Sequence, residues 1–213
     1  MVRGVIFDLD GTLADTLPLC VESFRRVVEF CSGRKLDDEE ITRHFGPSDR
    51  GVLARLLPGE DVERLENLFM ENYTFLHLDM APEPFPGVPE LLEALKRKKF
   101  RLAMVTGKDD DSAGVTLDVY NLEDVFEYVE TGSPERVVKG ECIGRVLDAW
   151  GMSPDEAVYV GDAVSDIKAC REVRVKVIAA AWAPSADVEA LRRAEPDFLL
   201  TDMSELLPLI SEI

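Results

Sequence analysis

Positive charge is scarce in this 213-residue chain: 24 Lys and Arg stand against 42 Asp and Glu, a formal net charge of −18. A surface this acidic repels phosphate backbones and anionic lipid headgroups, and no local basic patch offsets it, so neither nucleic acid nor a membrane is expected as a partner. Cysteine is scarce as well. Cys20, Cys31, Cys142 and Cys170 are widely spaced and form no C-x-x-C pair, which predicts free thiols in a reducing compartment rather than a disulfide framework. No apolar run approaches the length that spans a bilayer. The stretch from Met1 to Phe7 meets an acidic motif at Asp8, leaving no room for a signal peptide's apolar segment, so a cytoplasmic location is expected.

What is present is ordinary globular composition. A hydrophobic share of 46% and a charged share of 31% suit a chain that buries a full core, as one large domain with an insertion or one large and one small domain. Short β-branched runs recur at Val5 to Phe7, Leu102 to Thr106, Val125 to Val129, Ala157 to Val160, Val175 to Ala179 and Phe198 to Leu200. Several are apolar without alternation, as in strands covered on both faces. Between them lie patterns of period near 3.6, such as Val88, Leu91, Leu92, Leu95 and Ile143, Val146, Leu147, Trp150. Strand and helix in alternation predict an α/β fold, a doubly wound parallel sheet of Rossmann-like form, with its site at the carboxyl ends of the strands.

One stretch breaks the alternation. From residue 16 to 81 only helical patterns occur, including Leu17, Cys20, Val21, Phe24, Val27, Val28 and Cys31. This predicts an all-helical insertion at 16–81, with the core formed by 1–15 and 82–213. The chain returns through Ala81-Pro82-Glu83-Pro84-Phe85-Pro86-Gly87, whose prolines forbid a continuous helix. Both connections then lie near the end of the first strand, where a lid can close over a site.

Four elements carry chemistry. Asp8-Leu9-Asp10-Gly11-Thr12-Leu13 follows the first strand; residues two apart share a side if the extended geometry persists, so both carboxylates would face one site. Gly161-Asp162-Ala163-Val164-Ser165-Asp166 follows another apolar strand, and its two Asp share a face if a helix begins near Asp162, the plainer alternative being an N-cap. Carboxylates converging in one cleft raise one another's pKa values unless a cation intervenes, and an all-oxygen set suits a hard divalent ion such as magnesium. Thr106 and Gly107, at a strand end before a helix, offer donors for phosphate oxygens, although Thr-Gly is also ordinary turn chemistry. Lys139 is the only Lys between Lys108 and Lys168, and alone would be read as solvated.

In this order, the four elements resemble the haloacid dehalogenase-like hydrolase superfamily, in the branch with a small helical cap after the first motif. The resemblance runs from Val5 to about Leu207. It implies Asp8 as nucleophile, Asp10 as acid and base, and magnesium held by Asp8, Asp162 and the Asp10 carbonyl, with Asp166 ligating or orienting. It further implies that Thr106, the Gly107 amide and Lys139 bind the transferring phosphoryl group. Asp at position 10 favours phosphate over halide, because it supplies the proton an alkoxide leaving group requires. The tail from Ala181-Trp182 onward looks like the phosphoglycolate phosphatase-like group, with Trp182 readable as packing alone.

Two departures stand out: Gly140 follows Lys139 where Pro is usual, leaving Arg136 as reserve cation, and Val173-Arg174 replaces the common Ala-Gly. In the cap, Arg43, His44, Ser48 and Arg50 flank Phe45-Gly46-Pro47 and are the candidates for substrate contact, against a plainer reading as solvated helix ends. The expected activity is magnesium-dependent hydrolysis of a small phosphorylated metabolite through an aspartyl phosphate. Inorganic pyrophosphatase, a β-phosphoglucomutase-like sugar phosphomutase and a non-catalytic binding protein are the alternatives, and monomer and homodimer are both open.

Overall fold

The computed structural model describes all residues from Met1 to Ile213. Six strands, β1 (Gly4–Phe7), β2 (Arg101–Val105), β3 (Tyr128–Glu130), β4 (Ala157–Gly161), β5 (Lys176–Ala180) and β6 (Phe198–Leu200), form one sheet in the order β3-β2-β1-β4-β5-β6. Every pairing is parallel. Period-two alternation sends Val5 and Phe7 to one face and Ile6 to the other. Helices α5 (Val88–Arg97) and α10 (Leu206–Glu212) cover the first face, and α7 (Lys139–Trp150) and α8 (Val164–Val173) cover the second. Both faces are therefore dry, which is why these strands read as unbroken apolar runs. The exception is the expected strand from Val125: Val125 N–H bonds back to the Leu122 carbonyl in a turn, and pairing starts only at Tyr128.

Between β1 and α5 the chain is helical: α1 (Leu17–Ser32), α2 (Asp38–Thr42), α3 (Asp49–Leu56) and α4 (Val62–Met80). They enclose a core of their own, with Phe24, Leu53, Leu65, Phe69 and Tyr73 nearly or fully buried. The packing follows the apolar stripes of α1 and α4. The ends of this unit are tied to the sheet domain. Phe85 N–H donates to the Leu13 carbonyl at 2.8 Å, and Tyr120 of α6 (Asp110–Tyr120) donates its hydroxyl to the Ala81 carbonyl at 3.0 Å. No helix is long and apolar enough to cross a membrane.

The remaining helix, α9 (Val188–Arg193), precedes β6. α7 begins at Lys139 without the usual Pro, since Cys142 N–H reaches the Val138 carbonyl at 2.9 Å and closes the first turn. Arg174 ends α8 in the left-handed region, φ 62°, where a Gly would sit without cost.

Candidate functional site

Because β1 lies between β2 and β4, the strand order reverses at β1 and the carboxyl ends of all three open side by side. Asp8 leaves β1, Thr106 and Gly107 leave β2, and Asp162 leaves β4. All four line one cavity of about 560 Å³ together with Asp10, Lys108 and Lys139. The side chains of α1, α2 and α3 close it from the cap side.

The Lys139 ammonium organises the centre. It donates to Asp8 Oδ2 and to Asp166 Oδ1, each at 2.6 Å. Carboxylate oxygens of Asp8, Asp162 and Asp166 lie within 4.8 Å of one another. Three carboxylates thus share one ammonium, and the balance shows in the ionisation of Asp8 and Asp162. Burial raises the Asp8 carboxyl to about 7, with Lys139 pulling down against it and Asp166 pushing up. Burial, then Asp8 and Asp166, raise Asp162 to about 8. Lys139 is held well above the usual lysine value: burial works against its charge, and the Asp166 and Asp8 carboxylates prevail.

The donors fit a hard divalent cation: they are all oxygen and short of positive charge. Gly11 keeps the room for them. It turns with φ 71°, and a Cβ there would stand 2.1 Å from Asp162 Oδ2. Asp162 is the side chain with no hydrogen-bond partner among the three, and Asp8 is bonded by Lys139 at one oxygen and by Leu9 N–H at the other. Asp166 is fully buried, and its second oxygen accepts from Ala163 N–H at 2.9 Å, so both of its oxygens are engaged in orienting Lys139 and the start of α8.

α8 begins at Val164, two residues past Asp162, so Asp162 stands in the loop before it, and its carboxylate meets that of Asp166 within 4.8 Å. One local expectation fails here. The extended geometry stops at Phe7: Leu9 N–H folds back to Asp8 Oδ1 at 2.8 Å, and the Leu9 carbonyl accepts from Leu13 at 2.9 Å. Asp10 therefore diverges from Asp8. Its Oδ1 accepts from Thr16 Oγ1 at 2.5 Å, at the entry to α1, and lies 3.5 Å from Lys108 Nζ. The Asp10 carboxylate is not part of the acidic cluster, although it lines the same cavity.

Lys108 is the residue that sequence reading passed over. Its side chain is 2% exposed, donates to Cys20 Sγ at 3.1 Å and sits 4.3 Å from the centre of the Tyr73 ring. It thereby joins the β2 loop to α1 and α4. The available signal was its position directly after Thr106-Gly107. Nothing in the sequence marks Asp49, a buried carboxylate that accepts from the Ser112 hydroxyl and lines the cavity. Trp182 does more than pack: its indole N–H donates to the Thr12 carbonyl at 2.9 Å and pins the first motif.

The four cap candidates do not line the cavity. Arg43 is exposed beside His44, and Arg50 pairs with Glu66 at 3.4 Å. Ser48 is buried at the start of α3, with its N–H bonded to the Ser133 carbonyl. The turn around Gly46 faces the cavity with Phe45 and Pro47 instead of with these polar groups. Arg136 is likewise outside it, exposed and paired with Glu141.

A sequence model described as haloacid dehalogenase-like hydrolase matches residues 5–180. The chain belongs to the haloacid dehalogenase-like hydrolases. Relatives of this hydrolase include a phosphoglycolate phosphatase of Aquifex aeolicus, 28% identical over 98% of this chain and 97% of that one. Another is the pyrophosphatase PpaX of Bacillus pumilus, 31% identical over 98% and 96%. A haloacid dehalogenase-like hydrolase from Streptococcus pneumoniae shares the fold, with a TM-score of 0.78 at 23% identity over 98% of each chain. The hydrolase is accordingly an enzyme of the phosphatase members of this family.

Lys139 and Arg136 separate cleanly in this hydrolase. Lys139→Ala is expected to lower kcat/KM on nitrophenyl phosphate by on the order of 10²- to 10³-fold, the scale on which loss of one preorganised donor acts, because Lys139 holds Asp8 and Asp166 together. Arg136→Ala should stay within about threefold, because it removes only a solvated ion pair. Comparable losses in the two variants would contradict the assignment.

Proposed function

We propose that this hydrolase is a magnesium-dependent phosphomonoesterase that acts on a small phosphorylated metabolite through a phosphate ester of Asp8. The observation that carries the reading is the Lys139 ammonium bridging Asp8 and Asp166 beside Asp162, at the mouth of the strands that present Thr106 and Gly107. An anionic nucleophile approaching an anionic ester needs positive charge beside it, and Lys139 supplies the one ammonium among the three carboxylates. Magnesium, held by Asp8 and Asp162 and oriented from behind by Asp166, would supply the further charge that both the carboxylate and the phosphoryl oxygens require.

Asp8 Oδ forms the bond to phosphorus as the bond to the leaving oxygen breaks. Lys139, the Thr106 hydroxyl and the Gly107 N–H hold the equatorial oxygens; Gly107 lines the cavity and has open space on the side where a Cβ would project. Asp10, once turned from Thr16 towards the leaving oxygen, gives that oxygen a proton. It later takes one from the water that attacks the phosphorus and frees Asp8. Thr16 holds Asp10 at the entry to α1, so cap position and acid position are mechanically linked.

Excess chelator is expected to abolish turnover, with magnesium restoring it and calcium failing to, since its looser coordination misplaces Asp8. Asp162→Ala should weaken metal affinity on the order of a hundredfold. Calorimetric titrations of wild type and variant decide this, and equal affinities would remove Asp162 as ligand. Protons compete for the same oxygens, so wild-type affinity should rise as pH increases through 7 to 8, where Asp8 and Asp162 ionise. Pyrophosphate hydrolysis and phosphoryl return to a sugar use the same first step. A panel of esters, pyrophosphate and sugar phosphates, assayed with and without magnesium, tells them apart by phosphate release against isomerisation.

A further inference from the structure

The cap side of the cavity carries no cation. Its wall is Pro18, Val21, Phe24, Phe45, Pro47 and Val52, and its charged groups are the carboxylates Asp38 and Asp49. No Arg and no His lines the cavity anywhere. The two lysines that do are already committed. Lys139 faces Asp8 and Asp166 at the phosphoryl end. Lys108 is buried against Asp10, Cys20 and the Tyr73 ring. Cap arginines are drawn off elsewhere, Arg25 to Glu22 and Asp38 and Arg50 to Glu66.

A second anionic group on a substrate would thus face apolar side chains and carboxylates, with no cation on the cap wall to receive it and with Arg25 held behind Asp38. The volume of about 560 Å³ leaves ample space for a leaving group beyond the phosphoryl. We propose that this hydrolase selects phosphomonoesters whose leaving group is uncharged with an apolar body, aryl or alkyl, and discriminates against esters bearing a carboxylate or second phosphoryl group. The proposal rests on the phosphomonoesterase reading above. It parts the chain from the substrates named in its relatives, phosphoglycolate and pyrophosphate, each of which carries such a second anion.

The test compares kcat/KM, in saturating magnesium, for phenyl phosphate and 3-carboxyphenyl phosphate, which keep a phenolic leaving group and differ by one carboxylate. Phosphoglycolate and pyrophosphate complete the set. Phenyl phosphate should be preferred over the carboxylated ester by on the order of a hundredfold or more. Thr42→Arg, at an exposed position that lines the cavity, should narrow that ratio by about tenfold by raising kcat/KM for the carboxylated ester. Equal or better turnover of the carboxylated ester, phosphoglycolate or pyrophosphate by the wild type would overturn the selectivity and leave the phosphatase standing. Silence on every ester would overturn both.

Discussion

Asp8→Asn is expected to lower kcat by about 10⁵-fold or more, the scale on which removal of a nucleophile acts. The amide is a far poorer nucleophile and takes a charge from the acidic cluster, whereas Lys139 keeps Asp166 as partner and the centre stays in place. Loss of fold would not be the cause. Burial holds the Asp8 carboxyl near 7 against an ordinary 3.8, so the metal-free folded state binds that proton more tightly than the unfolded chain does. Stability contributed by Asp8 therefore declines as pH rises from about 4 to 7, and is at its lowest above that. Asparagine does not ionise, so metal-free Asp8→Asn should melt no lower than wild type, with an advantage that grows across this window. A variant that melts normally yet keeps more than a few per cent of the phosphate release would mean that water attacks phosphorus directly.

Asp10→Asn should behave differently, because its loss falls on proton transfer. With an alkyl phosphate the rate is expected to fall by about 10²- to 10⁴-fold, the range for a general acid and base. A nitrophenyl ester departs with little need of a proton, so Asp8 should still attack it. Hydrolysis of the phosphorylated Asp8 then stalls for want of a base. Stopped-flow mixing should show a burst approaching one nitrophenolate per site and then a slow steady rate. Asn can still accept from Thr16, which preserves the entry to α1, but the buried Lys108 loses its carboxylate partner, so a melting curve of the variant is read beside the burst. A uniformly slow reaction without a burst would assign Asp10 to the first step whatever the leaving group.

Much of this site was legible because strand ends are. Apolar runs with both faces covered have one reading, and the fold then brings residues such as Asp8, Thr106 and Asp162 together whatever lies between them. Lys139 was legible by its place in the order of motifs, and α7 holds that place even with Gly140 in its first turn. What was not legible depends on side-chain direction. Nothing in the string from Asp8 to Leu13 says that the backbone folds back at Leu9 and turns Asp10 to Thr16. Lys108 was passed over because burying a lysine requires partners from α1 and α4, which no local pattern announces. Of the cap candidates, Arg43 and Arg50 adjoin the cavity in sequence but do not line it in this structure, because long charged side chains reach for solvent and for Glu66.

The claim that phosphoryl transfer passes through Asp8 is tested most directly by locating the phosphate. Asp10→Asn is mixed with nitrophenyl phosphate and magnesium, quenched in acid within the burst, digested and mapped by mass spectrometry. The account predicts close to one phosphate per chain on the peptide containing Asp8, stable in acid and removed by hydroxylamine, and none when Asp8→Asn is added to the same background. Phosphate on another residue, or a burst with no phosphoprotein at any time, would contradict it.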